Sequence, residues 1–344
     1  MNRTKKTWNG SFPHQYVRRE TGQVKTETLV GDLAVLGLYN TARERANWLF
    51  RALTSARASS VLGFCHYDLR FFHPGGVRRL AQKMGADLEE CVDNPEFFTN
   101  PRKFFERKIR YWQTRPMPST EGAVVSPADA RVIVGSLEET SSLYLKQSLF
   151  SFEEMLGAGK THWLNAFRGG DFAVFRLTPD KYHYNHAPVA GVVRDIYEIH
   201  GAYHSCNPGA VIVEATPYAK NKRVVTILDT DVPHGSQAGL VAMIEVAAMM
   251  IGDIVQCYSF RKYDSPGEVV PGMFLEKGQP KSMYRPGSST DVLLFEKGRV
   301  QLCGDLVQNT LRTDVQSRFS YGFGRAMVET ELLVREQIGC ACHG

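Results

Sequence analysis

The stretch Ala123-Val-Val-Ser-Pro-Ala-Asp-Ala-Arg-Val-Ile-Val-Gly-Ser-Leu137 decides how the chain is read. Its β-branched residues fall in two runs, either side of Ser126-Pro127-Ala128-Asp129. Those four residues favour turns for local backbone reasons. Two short strands joined by a turn that carries a carboxylate is the simplest reading. Further runs follow at Asp171–Leu177, Ala210–Pro217, Lys222–Thr230, Asp253–Phe260 and Thr290–Leu302, rich in Val and Ile and bounded by Gly, Pro or Asp. They are not spaced by regular helices, as β–α–β units would be. Residues 116–344 therefore read as a mostly β catalytic domain.

Upstream the period changes. Thr41-Ala-Arg-Glu44 is a capping box, and Trp48, Leu49, Ala52, Leu53 and Ala56 follow at helical spacing. Asn100 as N-cap with Pro101 behind it starts a second helix. Its apolar Phe104, Phe105, Ile109 and Trp112 predict one basic, aromatic helix over Pro101–Trp112, with Arg102, Lys103, Arg107, Lys108 and Arg110 as the charge. Residues 27–115 read as helical and suited to a membrane surface. Residues 1–26, polar and aperiodic, read as a flexible basic arm. The fold class is α+β, a helical N-terminal region followed by the β domain.

Composition excludes several classes. A net charge of +5, 43% hydrophobic and 22% charged residues describe a soluble globular chain, not a disordered or fibrous one. The most apolar run, Leu240–Gly252, contains Glu245 and is shorter than the ~20 residues a bilayer span needs. The basic start lacks the apolar region of a signal peptide, so a cytoplasmic, peripheral location is expected. No nucleic-acid motif organises the basic residues. Seven scattered cysteines read as reduced thiols, and Cys340-Ala-Cys342-His343 reads as a frayed terminus without a metal.

Three segments carry chemistry. Asp129 is a carboxylate on a turn. His183 and His186 lie three apart, and Pro188 argues against a helical metal pair, which leaves acid–base work. Ser288 and Ser289 sit on a Gly/Ser turn that feeds an apolar strand. Asp129, His186 and either serine supply an acid–base–nucleophile set, which a serine hydrolase using Asp129, His186 and Ser289 would also use. No GxSxG elbow surrounds the serines. The apolar run Val246–Ile254 reads as a wall without chemistry.

Together these segments resemble the phosphatidylserine decarboxylases, which are self-cleaving pyruvoyl enzymes. The resemblance runs from about Phe104 to Asp305. It rests on Phe104–Met117 (FFERKIRYWQTRPM), Ser126–Val132 (SPADARV), Leu145–Gly157 (LKQSLFSFEEMLG), Arg176–Gly191 (RLTPDKYHYNHAPVAG), Asn221–Val225, Val246–Ile254, Lys277-Gly278 and Gly287–Val300 (GSSTDVLLFEKGRV). It implies that the proenzyme cuts its backbone before a serine, which becomes a covalent pyruvoyl group. The pyruvoyl carbonyl forms a Schiff base with the substrate amine and takes up the electrons left when carbon dioxide departs. Asp129 and His186 then assist self-cleavage, and His183 protonates the decarboxylated carbon. The Gly before the cut serine favours Ser288. The spacing to Phe295 favours Ser289, and because a strand register is hard to slip, Ser289 is the first choice.

The chain departs from the family pattern at Ala130, Lys181, Tyr184 and Ala190, around the substrate rather than the processing residues. The expected substrate is phosphatidylserine, converted to phosphatidylethanolamine. A soluble decarboxylase of free aromatic amino acids is the alternative. Expected partners are an anionic membrane surface and the two cleaved chains, which stay associated. A homo-oligomer is left open.

Overall fold

The computed structural model describes residues 12–29, 32–39, 54–55, 58, 61, 64, 67–68, 76–137, 149–213, 217–249, 253–287 and 289–342. The fold is α+β with a large, mostly sheet body. Its first strands are β1 (Gln15–Arg18), β2 (Val24–Thr26), β3 (Ala123–Val125), β4 (Ala130–Ser136), β5 (Asp171–Leu177), β6 (Tyr184–His186), β7 (Gly191–Ile199) and β8 (Arg223–Asp229). Then come β9 (Leu240–Ala247), β10 (Ile254–Gln256), β11 (Phe274–Leu275), β12 (Pro280–Tyr284), β13 (Ser289–Phe295), β14 (Val300–Leu302), β15 (Glu329–Leu332) and β16 (Gln337–Ala341).

Among the described residues ten strands form one sheet in the order β11-β7-β8-β9-β13-β5-β4-β15-β1-β2. Neighbours are antiparallel except β1 with β15. Two small sheets, β10-β12-β6 and β14-β16-β3, complete the strand set.

Strand β13 shows why its sequence is an unbroken apolar run. Successive side chains point to opposite faces, and both faces of the sheet are covered. Val292 and Leu294 pack with Phe319 and Phe323 of the helix Arg318–Phe323. Leu293 and Phe295 pack on the other face with Ala187, Val189 and Tyr284 of the β6–β12 layer. Each such buried side chain contributes ~1.5–3 kcal/mol. The site described below is assembled where β6 and β12 cross the head of β13.

Four expectations differ from the structure. Residues 15–18 and 24–26, expected inside a flexible arm, form β1 and β2, because Val17 is buried against Val315 and Val328 and β1 gains a parallel ladder on β15. Ala210–Val213, read as strand, lies in the helix Pro208–Val213. Pro208 suits a first helical position, and the Asn207 side chain accepts from Gly209 N at 2.8 Å. The helix expected over Pro101–Trp112 starts at Asn100 as read, with its side chain accepting from Lys103 N at 2.9 Å, but it stops at Phe105. Ile109 bridges to Cys91, and a separate short helix runs Tyr111–Thr114. The expected frayed end is ordered through Cys342, because Gln337–Ala341 pairs with β3 and β14. The helix expected after Thr41 lies outside the described residues, as do Cys65, His343 and Ser288.

Candidate active site

The turn after β3 is locked by its own serine: Ser126 Oγ donates to Ala128 O at 2.7 Å. This aims Asp129 inward, where it is buried. Arg115 grips the carboxylate with Nε and Nη2 at 3.1 and 2.9 Å, and Val334 N donates at 2.8 Å. Burial works to raise the Asp129 carboxyl, but Arg115 and the Val334 N–H outweigh it and hold the group below the ordinary carboxylate range.

His186 N donates to Pro127 O at 2.7 Å, which ties β6 to that turn. The imidazole is fully buried and both nitrogens are taken. Nδ1 lies 2.9 Å from Gly278 O and Nε2 2.9 Å from the Tyr182 hydroxyl. A carbonyl only accepts, so Nδ1 carries the proton and Nε2 is the accepting nitrogen. The Tyr182 hydroxyl also lies 2.7 Å from that of Tyr263, and Tyr111 packs edge-on against the imidazole. Gly278, with φ of 76°, is the glycine of the Lys277-Gly278 motif, and a Cβ there would come within 2.5 Å of Met117 Sδ. Burial pushes His186 down to about 3, so it rests neutral.

Among the described residues no hydrogen bond joins Asp129 to His186. Arg115 and Val334 hold the carboxylate, and Gly278 and Tyr182 hold the imidazole.

His183 is environmentally different. It is fully buried and stacked on Phe105, with ring centroids 3.6 Å apart. Among the described residues neither ring nitrogen has a hydrogen-bond partner. Burial, then the Arg107 guanidinium, holds it well below the ordinary histidine value. Its carbonyl accepts from Tyr284 N at 3.0 Å, which fastens it to the end of β12.

Ser289 opens β13, paired with Leu177 on one side and Ala247 on the other. It is fully buried and its Oγ has no partner among the described residues. Gly287 precedes it by two residues at φ 150°, a conformation open to glycine. No described hydrogen bond joins Ser289 to His186, so the nucleophile–base–acid chain is not assembled as a hydrolase would hold it.

Sequence reading missed Tyr182, although it stood inside the quoted motif. It also missed Arg115, inside the quoted Phe104–Met117, and had no signal for Tyr263, 81 residues beyond Tyr182. Glu245, read only as the charge inside the apolar run Leu240–Gly252, is fully buried and ion-paired to Lys281 at 2.9 Å. Among the described residues one cluster, His14, Glu27 and Glu329, has metal-ligand spacing, but Arg176 reaches both carboxylates at 2.6 Å and takes the cation's place. No helix among the described residues is long and apolar enough to cross a membrane.

Residues 102–320 match the model of a family described as phosphatidylserine decarboxylase, well over half of the chain. The chain is also similar to proteins named phosphatidylserine decarboxylase proenzyme. That of Chlamydia trachomatis serovar L2 is 30% identical, over 85% of this chain and 90% of the relative. That of Ruminiclostridium cellulolyticum is 28% identical over 94% and 97%, and that of Fusobacterium nucleatum subsp. nucleatum 26% over 90% and 95%.

Proposed function

The chain belongs to the phosphatidylserine decarboxylase family, and from that premise we propose a self-processing enzyme in which Ser289 becomes a pyruvoyl group. It is a carboxy-lyase that releases carbon dioxide from phosphatidylserine to leave phosphatidylethanolamine. The observation that carries the self-processing reading is Ser289 itself: a fully buried serine at the head of a central strand, its hydroxyl without a partner among the described residues. An unpaired buried hydroxyl costs stability and suggests a group kept for chemistry.

Processing begins when a base takes the Ser289 proton so that Oγ can attack the preceding carbonyl. His186 is the proposed base, neutral at rest, with Gly278 fixing Nε2 as the accepting nitrogen. Tyr182 stands on that nitrogen, so the proton's route passes through its hydroxyl or displaces it. The negative charge on Asp129 favours the protonated imidazole, acting through space rather than by contact. A pyruvoyl group at residue 289 supplies the sink for the electrons left by carbon dioxide. His183 is the proposed acid that returns a proton to the substrate carbon. Its ring rests neutral, and an anionic headgroup brought against it favours the proton it must hold.

The cut places Ser289–Gly344 in a small chain. Strand β13 then lies between β5 and β9 of the large chain, hydrogen-bonded along its whole length on both edges. That arrangement supports two chains that stay together. A peripheral place on the cytoplasmic face of an anionic membrane is proposed because the substrate is a lipid. The Pro101–Trp112 segment supports this less than its sequence suggested, since Arg102 pairs with Asp68 and Glu106, Arg107 is buried, and Arg110 donates to the carbonyls of Cys91 and Glu89.

The test is substrate preference. Purified protein should release carbon dioxide from phosphatidylserine vesicles and lose that activity in Ser289→Ala. Turnover of free aromatic amino acids, with none of the vesicles, would instead establish the soluble alternative.

A further inference from the structure

A fully buried carboxyl lies two residues beyond Ser289, and the reaction above leaves it unused. Side chains alternate along β13, so Asp291 shares a face with Ser289. The register sets it opposite Glu245 on β9 and Phe175 on β5. Glu245 accepts from Lys281 Nζ at 2.9 Å, from Gln256 Nε2 at 2.8 Å, from Asn185 Nδ2 at 3.4 Å and from the Ser282 hydroxyl. That is the donor set of an ionised carboxylate. Lys281 is thereby matched, and a second carboxylate at Asp291 would leave a negative charge uncompensated away from solvent.

The hydrogen bonds around Tyr284 accommodate a proton on Asp291. The Tyr284 oxygen lies 2.7 Å from Asp291 Oδ1 and 2.9 Å from Thr290 O, and it accepts from Val246 N at 3.1 Å. A tyrosine has one proton and a carbonyl only accepts. If Tyr284 donates to Thr290, the contact with Asp291 needs its proton from Asp291. The second oxygen, Oδ2, has no partner among the described residues. Burial, and next Glu245, raises this carboxyl well above the ordinary range.

We propose that Asp291 is a neutral carboxylic acid and a positioning residue for the bond before Ser289. It donates to Tyr284, which turns that hydroxyl onto the Thr290 carbonyl and fixes the Thr290–Asp291 peptide unit, the second beyond the cut. Tyr284 belongs to the large chain and Thr290 to the small one, so the pair also spans the break. The inference rests on the reading that the cut precedes Ser289.

Two measurements test it, on Asp291→Asn and Asp291→Leu. The first is thermal unfolding against pH. A carboxyl protonated only in the folded state loses stability as pH rises above its ordinary value near ~4. The charged or titratable groups facing it are Glu245 from β9 and Lys281 and Tyr284 from β12. Strand β6 brings Asn185, β10 brings Gln256 and β5 brings Phe175. Cys257, beside Glu245 and Lys281, is pushed by burial up to about 12 and stays neutral. Asp291→Asn should therefore gain on the parent as pH rises from 5 to 8; a gap that stays constant or moves the other way overturns the neutral acid.

The second is the rate of cutting in freshly translated chain. Asp291→Asn keeps a donor for Tyr284 and should still be cut, whereas Asp291→Leu should slow roughly tenfold, the effect of losing one ordered hydrogen-bonded pair. An uncut Asp291→Asn chain would mean that the carboxyl must exchange its proton, and a normally cut Asp291→Leu chain would remove the positioning role. A cut at another bond would unseat the reading of Ser289, while the pH result would still report the proton on Asp291.

Discussion

Two buried carboxylate clusters lie on opposite faces of the same sheet, and Glu27 and Glu329 of the first are held below the ordinary carboxylate range whereas Asp291 of the second is pushed above it. Arg176 stands opposite Thr290 in register and Asp291 is the next residue, which puts the clusters on alternate faces. In the first, Glu27 and Glu329 meet Arg131, Arg176 and His14, and Arg176 reaches both carboxylates at 2.6 Å. Burial works to raise both glutamates, and Arg176 outweighs it, so both lie below the ordinary range. In the second, Lys281 is the one cation that Glu245 and Asp291 share among the described residues, and Asp291 is raised. The number of cations decides the sign. The balanced cluster fastens β1 and β15 to the sheet. In the cluster short of a cation, the proposed proton sits on Asp291, two residues from Ser289.

The largest expected effect concerns the two buried histidines, His183 and His186. General acid–base residues typically contribute ~10²–10⁴-fold. His186→Ala should leave uncut chain and no decarboxylase. His183→Ala should cut into two chains but turn over poorly. If His183→Ala blocks cutting while His186→Ala is cut normally, the two roles are exchanged.

Next comes the balanced cluster. Arg176→Met strips the shared cation from two buried carboxylates and should cost about 3–5 kcal/mol in urea unfolding, as broken buried pairs do. Whatever chain folds should still be cut. A stable Arg176→Met protein that is not cut would mean that this cluster serves the reaction and would break the contrast.

The pH dependence sharpens it. Glu27 and Glu329 are depressed when folded, so their contribution is present above the ordinary carboxylate value and is lost as pH falls below it. Glu329→Gln should flatten the acid side of the stability curve and leave the alkaline side unchanged. An unchanged acid side would show that the depressed carboxylates do not govern it.

The smallest effect is at the surface. Lys103 lies over the exposed ring of Phe97, and Lys262 over Trp112. Changing both to Gln should weaken sedimentation with anionic vesicles by ~1 kcal/mol per charge, less at high salt. Equal, salt-independent sedimentation would remove these lysines from any lipid contact.

Sequence alone exposed β13, the turn bearing Asp129 and the two histidines, because each is a local pattern: an apolar run, a Pro-Asp turn, a spacing of three. It could not show that the His186 partners come from residues 182 and 278, or that Tyr263 stands behind them. Glu245 was hidden by its apolar neighbours, since only the β9–β13 register reveals that it faces Asp291. Ala210–Val213 misled because β-branched propensity is a weak prior that tertiary packing overrides. The helix at Pro101 was cut short by the Cys91–Ile109 bridge, a contact between residues 18 apart that no periodicity encodes.

The central claim, that Ser289 is converted after a cut at its own peptide bond, is tested most directly by the intact mass of the purified protein. The account predicts a small chain of 56 residues, Ser289–Gly344, of about 6 kDa, its N-terminus closed to Edman chemistry and reactive with phenylhydrazine. A small chain one residue longer would move the reaction to Ser288, and an active protein that remains 344 residues long would contradict the mechanism.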